Sequence, residues 1–362
     1  MLIYILELIL IIIFSKRAMA FNHKRWVFMI IMSLTLISGL RGLSVGLDTE
    51  NYVNIFKQID RNDPTLIWRH IEPGFIFICK ILLSINHNYN FLLFVFALLT
   101  NTLIIIRLWE LRSISLFNWS VICYYISFYF LSMNISRQFC AIAILFYGTK
   151  YLMKKKYFIY GLFIIIAFLF HKSALISLVF YAVEIVDWEK LDNKHRMFII
   201  VGCCSMPAYI GYILLNMHNY MKYFVSIKFN MGIMLPFKMI LLFLIGFRVQ
   251  YSVRNKFMSD FEVINDENRY TLIQVLEKVK LIKVYYWIGL IVTFIGYCFA
   301  FMDRIGIIFY MFECVFIGMV IKYRSDRKWC AMLYTGVLAY CLFSVLIGNG
   351  QGIVPYVFCR SI

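Results

Sequence analysis

Long apolar runs, separated by short polar turns, decide what this chain can become. Runs near 2–15, 26–40, 91–106, 116–132, 138–153, 157–170, 174–186, 197–215, 233–247, 284–301, 305–321 and 329–347 carry few charges. In hydrocarbon a backbone must satisfy its own N–H and C=O groups, so runs of this kind become helices. A plain span needs ~20 residues. Several runs are shorter, so their bounds are loose by a few residues. Over 362 residues the pattern predicts an all-α, polytopic integral membrane protein, one domain over 1–362 with about 12 transmembrane helices.

One further run, 71–85, carries Glu72, Pro73 and Gly74 at its start and Lys80 in its middle. Cytoplasmic loops carry an excess of Lys and Arg, and that rule decides how to place it. If 71–85 crosses fully, one basic cluster ends outside. If it is re-entrant or lies in the outer interface, every basic cluster falls inside. The clusters at 16–25, 107–115, 150–156, 187–196, 248–283 and 322–328 then hold 24 of the 36 Lys and Arg residues. The second arrangement is expected, with both termini outside, an outer loop at 41–70 and a partly helical cytoplasmic loop at 248–283.

The chain is 62% hydrophobic and 15% charged, against roughly 45–50% and 25% in soluble domains. A soluble enzyme, a disordered protein and a disulfide scaffold are poor readings. The formal charge of +17 would suggest nucleic acid in a soluble protein. Here it reflects basic cytoplasmic loops, and no nucleic-acid partner is expected. The 10 cysteines show no CxxC pair and no metal-ligand spacing. Met1 to Phe14 lacks a basic n-region and a small-residue cleavage site, so it reads as a retained first helix. The aromatic residues, 19% of the chain, read mostly as lipid contacts and interface belts.

With that topology the unusual polar residues collect on the outer face. The outer loop opens RGLSVGLDTENY, with Arg41, Gly46, Asp48, Thr49 and Tyr52, and HIEPGF follows with His70 and Glu72. MNISRQ supplies Arg137, FHKSALI supplies His171 and Lys172, and FMDRIGIIFYM supplies Asp303, Arg304 and Tyr310. The tail gives GNGQGIVPY, with Asn349 and Tyr356. Charges held at membrane depth cost several kcal/mol unless paired or wet, which makes them functional candidates.

These motifs, taken in order from Arg41 to Tyr356, resemble the EpsG family of bacterial exopolysaccharide polymerases, which are Wzy-type proteins. The resemblance rests on R-G-x-x-V-G-x-D-T-x-x-Y, E-P-G-F, S-R-Q at a helix start, A-F-L-F-H-K-S-A-L-I and a late D-R-I. It implies a GT-C-like architecture and a plasma-membrane glycosyltransferase. Such enzymes join oligosaccharide repeat units carried on undecaprenyl pyrophosphate, at the outer face of the bacterial plasma (inner) membrane. The product is O-antigen, capsule or exopolysaccharide. Membrane lipids and a chain-length regulator are the other implied partners, and no cofactor or metal is expected.

Displacing a sugar from pyrophosphate calls for cationic donors on the departing oxygens, and the planar fork of Arg suits them. Arg41, Arg137 and Arg304 are the candidates, with Lys172 next. The attacking hydroxyl needs a base within ~3 Å, and Asp48, Glu72, His171 and Asp303 stay open for that role. A carboxylate would also suit oxocarbenium-like character in sugar transfer. Tyr52, Tyr310 and Tyr356 are candidates for stacking on sugar rings.

Each has a plainer alternative. Arg137 would serve as a snorkelling anchor, Asp48 as a turn or helix cap, Glu72 and Pro73 as a helix start, and Arg41 as an answer to a helix dipole. Arg304 would pair with Asp303, and His171 would be a satisfied interfacial residue. Glu7, Lys238 and Glu313 read as structural charges inside helices. Three other functions share parts of the pattern. An O-antigen ligase uses the same pyrophosphate chemistry. A flippase would show two similar halves and its polar motifs at mid-depth, whereas no repeat is seen and the polar motifs lie on one side. A membrane O-acyltransferase would want a deep histidine reached from the cytoplasm.

Overall fold

A computed structural model describes residues 1–65, 71–185, 192, 194, 251–253, 255, 266–296, 306–323 and 326–359. The runs expected at 197–215 and 233–247, and His70, Lys238, Asp303 and Arg304, lie outside them. The helices are α1 (Leu2–Phe21), α2 (Lys24–Gly39), α3 (Thr49–Asp60), α4 (Pro73–Leu83), α5 (Tyr89–Glu110), α6 (Phe117–Tyr124), α7 (Phe130–Asn134), α8 (Ser136–Leu152), α9 (Tyr157–Phe170), α10 (Leu178–Ile185), α11 (Asp266–Gly296), α12 (Glu313–Tyr323) and α13 (Arg327–Ile347). Among the described residues the sole extended pairing is an isolated bridge between Arg41 and Phe358. The core forms where α2 packs on α1 and α5, α8 lies between α5 and α9, and α6 contacts α1 and α12.

α1 explains why this bundle belongs in a membrane. Its buried stripe is Tyr4, Glu7, Ile11, Ser15 and Ala18, spaced three or four residues apart, while Leu2, Leu6 and Ile9 are exposed. Phe158 and Ile165 on α9, and Met332 and Phe343 on α13, are exposed too. Exposed apolar surface on this scale needs an apolar solvent. Three described helices are long and apolar enough to cross a bilayer: Tyr89–Ser113, Gly306–Tyr323 and Lys328–Ile347. The chain is a membrane protein.

The structure sharpens several expectations. The outer stretch 41–70 contains a helix, Thr49–Asp60, with Tyr52, Phe56 and Ile59 on its buried side. The ambiguous run 71–85 folds as α4, which begins at Pro73 with Glu72 as its N-cap. Its 11 residues extend about 16 Å at 1.5 Å per residue, half of the hydrocarbon thickness. The helix expected at 284–301 begins at Asp266, so half of the polar stretch 248–283 is its first portion. The run 116–132 is broken by a π-helical turn over Tyr125–Tyr129. That turn aims both tyrosines at Glu7, with hydroxyl-to-carboxyl distances of 3.1 Å. Glu313 takes a bond from the Tyr334 hydroxyl at 3.0 Å. Aromatics also fill the interior rather than only the lipid belt: apart from Arg41, the largest fully buried side chains are all Tyr or Phe.

The basic clusters meet at one end of the bundle. Arg112 donates to Asn22 at 3.5 Å, which ties the 107–115 cluster to the α1–α2 turn. Lys150 lies 3.4 Å from Glu110, and Lys322 donates to the Ser113 carbonyl. The opposite ends of α2, α5 and α8 carry the polar motifs.

Candidate functional site

Five of the polar motifs converge at that opposite end. The Gly46 amide donates to Gly352 at 2.8 Å, and the Gly42 amide donates to Val357 at 2.8 Å. Asn134 donates to the Gln351 carbonyl at 3.0 Å. The tail therefore closes over the start of the 41–60 stretch and over the α7–α8 corner. Gly46 has φ +94° and a Cβ there would meet Thr49 and Asn134 within 3 Å, so the turn excludes other residues.

Arg137 is the centre of the arrangement. It stands in the first turn of α8, and its Nη1 donates to Glu72 Oε2 in an ion pair. The guanidinium lies 5.5 Å from the Phe75 ring and 5.7 Å from the Tyr52 ring, in cation–π contact with both. Its Nε is buried and has no hydrogen-bond partner among the described residues. Glu72 and the Tyr52 hydroxyl thus engage the guanidinium while Nε is left over. Glu72 and Phe75 lie one turn apart on α4, so α4 presents the acid and the ring together. Phe75 carried no sequence signal beyond its place in the EPGF motif. The motif also shows why glycine follows proline there: a Cβ at Gly74 would sit 2.6 Å from the Leu169 carbonyl oxygen of α9.

The other candidates divide clearly. Arg41 is 1% exposed. Its Nε donates to Thr49 Oγ1 at 3.2 Å and its Nη2 to the Met133 carbonyl at 2.9 Å. Its Nη1 serves the carbonyl and hydroxyl of Ser38. Four donor directions are taken, so Arg41 ties α2 to the start of α3 and to the α7–α8 corner instead of facing a ligand. Asp48 is half-buried at the N-cap of α3, yet makes no cap bond. It lies one turn before Tyr52 on the same face. His171 caps the 3-10 turn Lys172–Ser177, accepting the Ser173 amide at 3.3 Å on Nδ1. An accepting Nδ1 assigns the ring proton of the neutral imidazole to Nε2. Lys172 follows it, half-buried.

The three candidate tyrosines are packed into the protein in this structure. Tyr310 is buried, packed against Phe128 at 5.6 Å and Tyr286 at 6.3 Å. The Tyr356 hydroxyl donates to the Ile37 carbonyl at 2.9 Å, and its ring meets Tyr4 edge-on. Tyr52 is buried beneath Arg137. Behind the ion pair, Arg41, Tyr52, Phe75, Ser132 and Ser136 help line a cavity of about 20 Å³. That is room for a water or two, not a sugar. No group of three His, Cys, Asp or Glu side chains able to hold a metal occurs among the described residues.

Compared with known proteins, residues 24–358 match the model of the EpsG family. No curated protein and no solved structure matches the chain.

Proposed function

Because the chain belongs to the EpsG family, we propose that it is a membrane polysaccharide polymerase acting on lipid-linked repeat units. The repeat unit rides on undecaprenyl pyrophosphate at the outer face of a bacterial plasma membrane, crossed about 12 times by a GT-C-like fold. The polymer is O-antigen, capsule or exopolysaccharide. In the reaction an acceptor sugar hydroxyl forms a bond to the anomeric carbon of the growing chain. The bond from that carbon to the lipid pyrophosphate breaks, the hydroxyl proton passes to a base, and lipid pyrophosphate departs.

The half-satisfied fork of Arg137 supports this reading most directly. Glu72 and the two rings hold the guanidinium, whose Nε has no partner among the described residues and whose side chain is 22% exposed, which leaves donor capacity for an anionic oxygen. Charge accumulates on the bridging oxygen as the pyrophosphate leaves, and a preplaced cation stabilises that state more than the ground state. Glu72 then positions Arg137. Asp48 is the base this geometry favours, since Glu72 is held in the ion pair and His171 Nδ1 is held in the cap. Lys172 is a second phosphate donor. Asp303 and Arg304 complete the set on the sequence resemblance alone.

Arg137→Ala tests it. The expected result is loss of long polymer by roughly 10²–10³-fold in rate, the usual cost of a transition-state donor, with single repeat units accumulating at the surface. Arg137→Lys keeps the charge but not the fork and should restore only part of the activity. Normal chain-length ladders from Arg137→Ala, with wild-type amounts of protein in the membrane, would refute the assignment.

A further inference from the structure

A second, roomier cleft lies at the other end of the bundle, away from Arg137. On α8 the two regions are separated by the rise from Arg137 to Lys150, about 20 Å at 1.5 Å per residue. The cleft encloses about 850 Å³ between the ends of α5, α8 and α10 and the first half of α11. That is the size of pocket that takes a drug-sized or nucleotide-sized ligand. Its walls carry Arg107, Lys150, Lys154, Lys155, Lys278 and Lys280 against Glu110, Glu184 and Glu277.

The acids answer only part of this positive charge, Glu110 at Arg107 and Lys150 and Glu184 within electrostatic reach of Lys155. Glu110 answers Arg107 at 3.3 Å and Lys150 at 3.4 Å. Lys154, Lys155 and Lys278 form no ion pair among the described residues. Lys155 adopts φ +57° in the tight turn between α8 and α9, which fixes the direction of that wall. Three ammonium groups with no ion pair among the described residues, gathered in one concavity, attract an anion. On the same walls Glu184 Oε2 is buried with no hydrogen-bond partner among the described residues. A buried unmatched acceptor calls for a donor. The cleft thus asks one ligand for two things, an anionic group for the lysines and a hydroxyl or amine for Glu184.

We propose that this cleft binds a phosphate ester that also carries hydroxyl groups, with the phosphate between Lys154, Lys155 and Lys278 and a hydroxyl donated to Glu184. Two sources share that chemistry, a soluble sugar or polyol phosphate and the headgroup of a glycerol-bearing anionic phospholipid. Its position apart from Arg137 makes it a second site, independent of the reaction proposed above.

The test uses the full chain purified in neutral detergent or in nanodiscs. The soluble arm measures glycerol 3-phosphate binding by calorimetry. The lipid arm measures retention of phosphatidylglycerol against phosphatidylcholine by native mass spectrometry. Saturable glycerol 3-phosphate binding, or preferential phosphatidylglycerol retention, supports the site and identifies the source. Lys154→Gln/Lys278→Gln should weaken either by at least tenfold. Glu184→Gln should weaken glycerol 3-phosphate relative to inorganic phosphate. The control pair Lys57→Gln/Lys80→Gln removes two exposed cations elsewhere and should change neither. Absence of binding in both arms overturns the proposal. So does equal weakening by the control pair, or wild-type binding by Lys154→Gln/Lys278→Gln.

Discussion

Arg41 and Arg137 are guanidinium groups at the same end of one bundle, and their neighbours assign them different work. Arg41 is enclosed, and its donors satisfy Ser38, Thr49 and the Met133 carbonyl. Removing it strands buried acceptors, each at about 1–3 kcal/mol. Arg41→Ala should therefore destabilise the protein by roughly 2–5 kcal/mol, seen as a lower unfolding temperature in detergent and less protein in the membrane. Arg137→Ala should show the reverse balance, with lost polymerisation and a smaller loss of stability, because its side chain is 22% exposed and already lacks one partner. If Arg41→Ala unfolds at the wild-type temperature yet makes no polymer, Arg41 touches substrate and the division is wrong. Sequence alone could not separate the two residues. Both are arginines beside helix ends, and the difference lies in contacts such as Arg41 to Met133, 92 positions apart.

At the scale of elements, α4 shows what a short helix contributes. It is too short to cross the bilayer as a straight helix, but it carries Glu72 and Phe75 to Arg137, and Gly74 lets it sit against the end of α9. Gly74→Ala places a methyl group 2.6 Å from the Leu169 carbonyl oxygen, so α4 must shift. The expected cost is about 1–3 kcal/mol in stability, with a drop in polymer length as Glu72 leaves Arg137. Gly336→Ala is the control, since a Cβ there has nothing within 4 Å. It should leave polymer unchanged and raise stability slightly, by up to ~1 kcal/mol, through helix propensity. Equal unfolding temperatures and ladders for both variants would remove the close-packing argument. The apolar runs made most helices legible, because hydrophobicity is a local property. Helix within 248–283 was expected, but its start at Asp266 and the π-helical turn at Tyr125–Tyr129 were not legible. The first carries the polar residues of a cleft wall, and the second answers Glu7, more than a hundred residues away.

For the whole molecule, the separation of its two kinds of polar end carries the orientation. Lys24 and Gly39 lie at opposite ends of α2, as do Tyr89 and Glu110 on α5 and Arg137 and Lys150 on α8. On α2 and α8 the basic clusters lie at one end and the Arg41 and Arg137 motifs at the other, and α5 ends in the 107–115 basic cluster. The charge rule read from sequence and the contacts among Asn22, Arg112, Ser113 and Lys322 therefore agree on which residues share a face. Lys and Arg excess marks the cytoplasmic side. The orientation proposed on that rule has the α8–α9 turn inside the cell and the α3 end outside it. Both sites suit reporters: Asn62 and Lys155 are exposed turn residues with positive φ, where insertions are tolerated. A reporter active only outside the membrane should work when inserted after Asn62 and fail after Lys155. A reporter that fluoresces only in the cytoplasm should give the opposite pair. Should both insertions report the same side, α4 does not turn the chain back at the outer face. Activity of the external reporter at Lys155 alone would invert the molecule, placing Arg137 in the cytoplasm and the basic cleft outside.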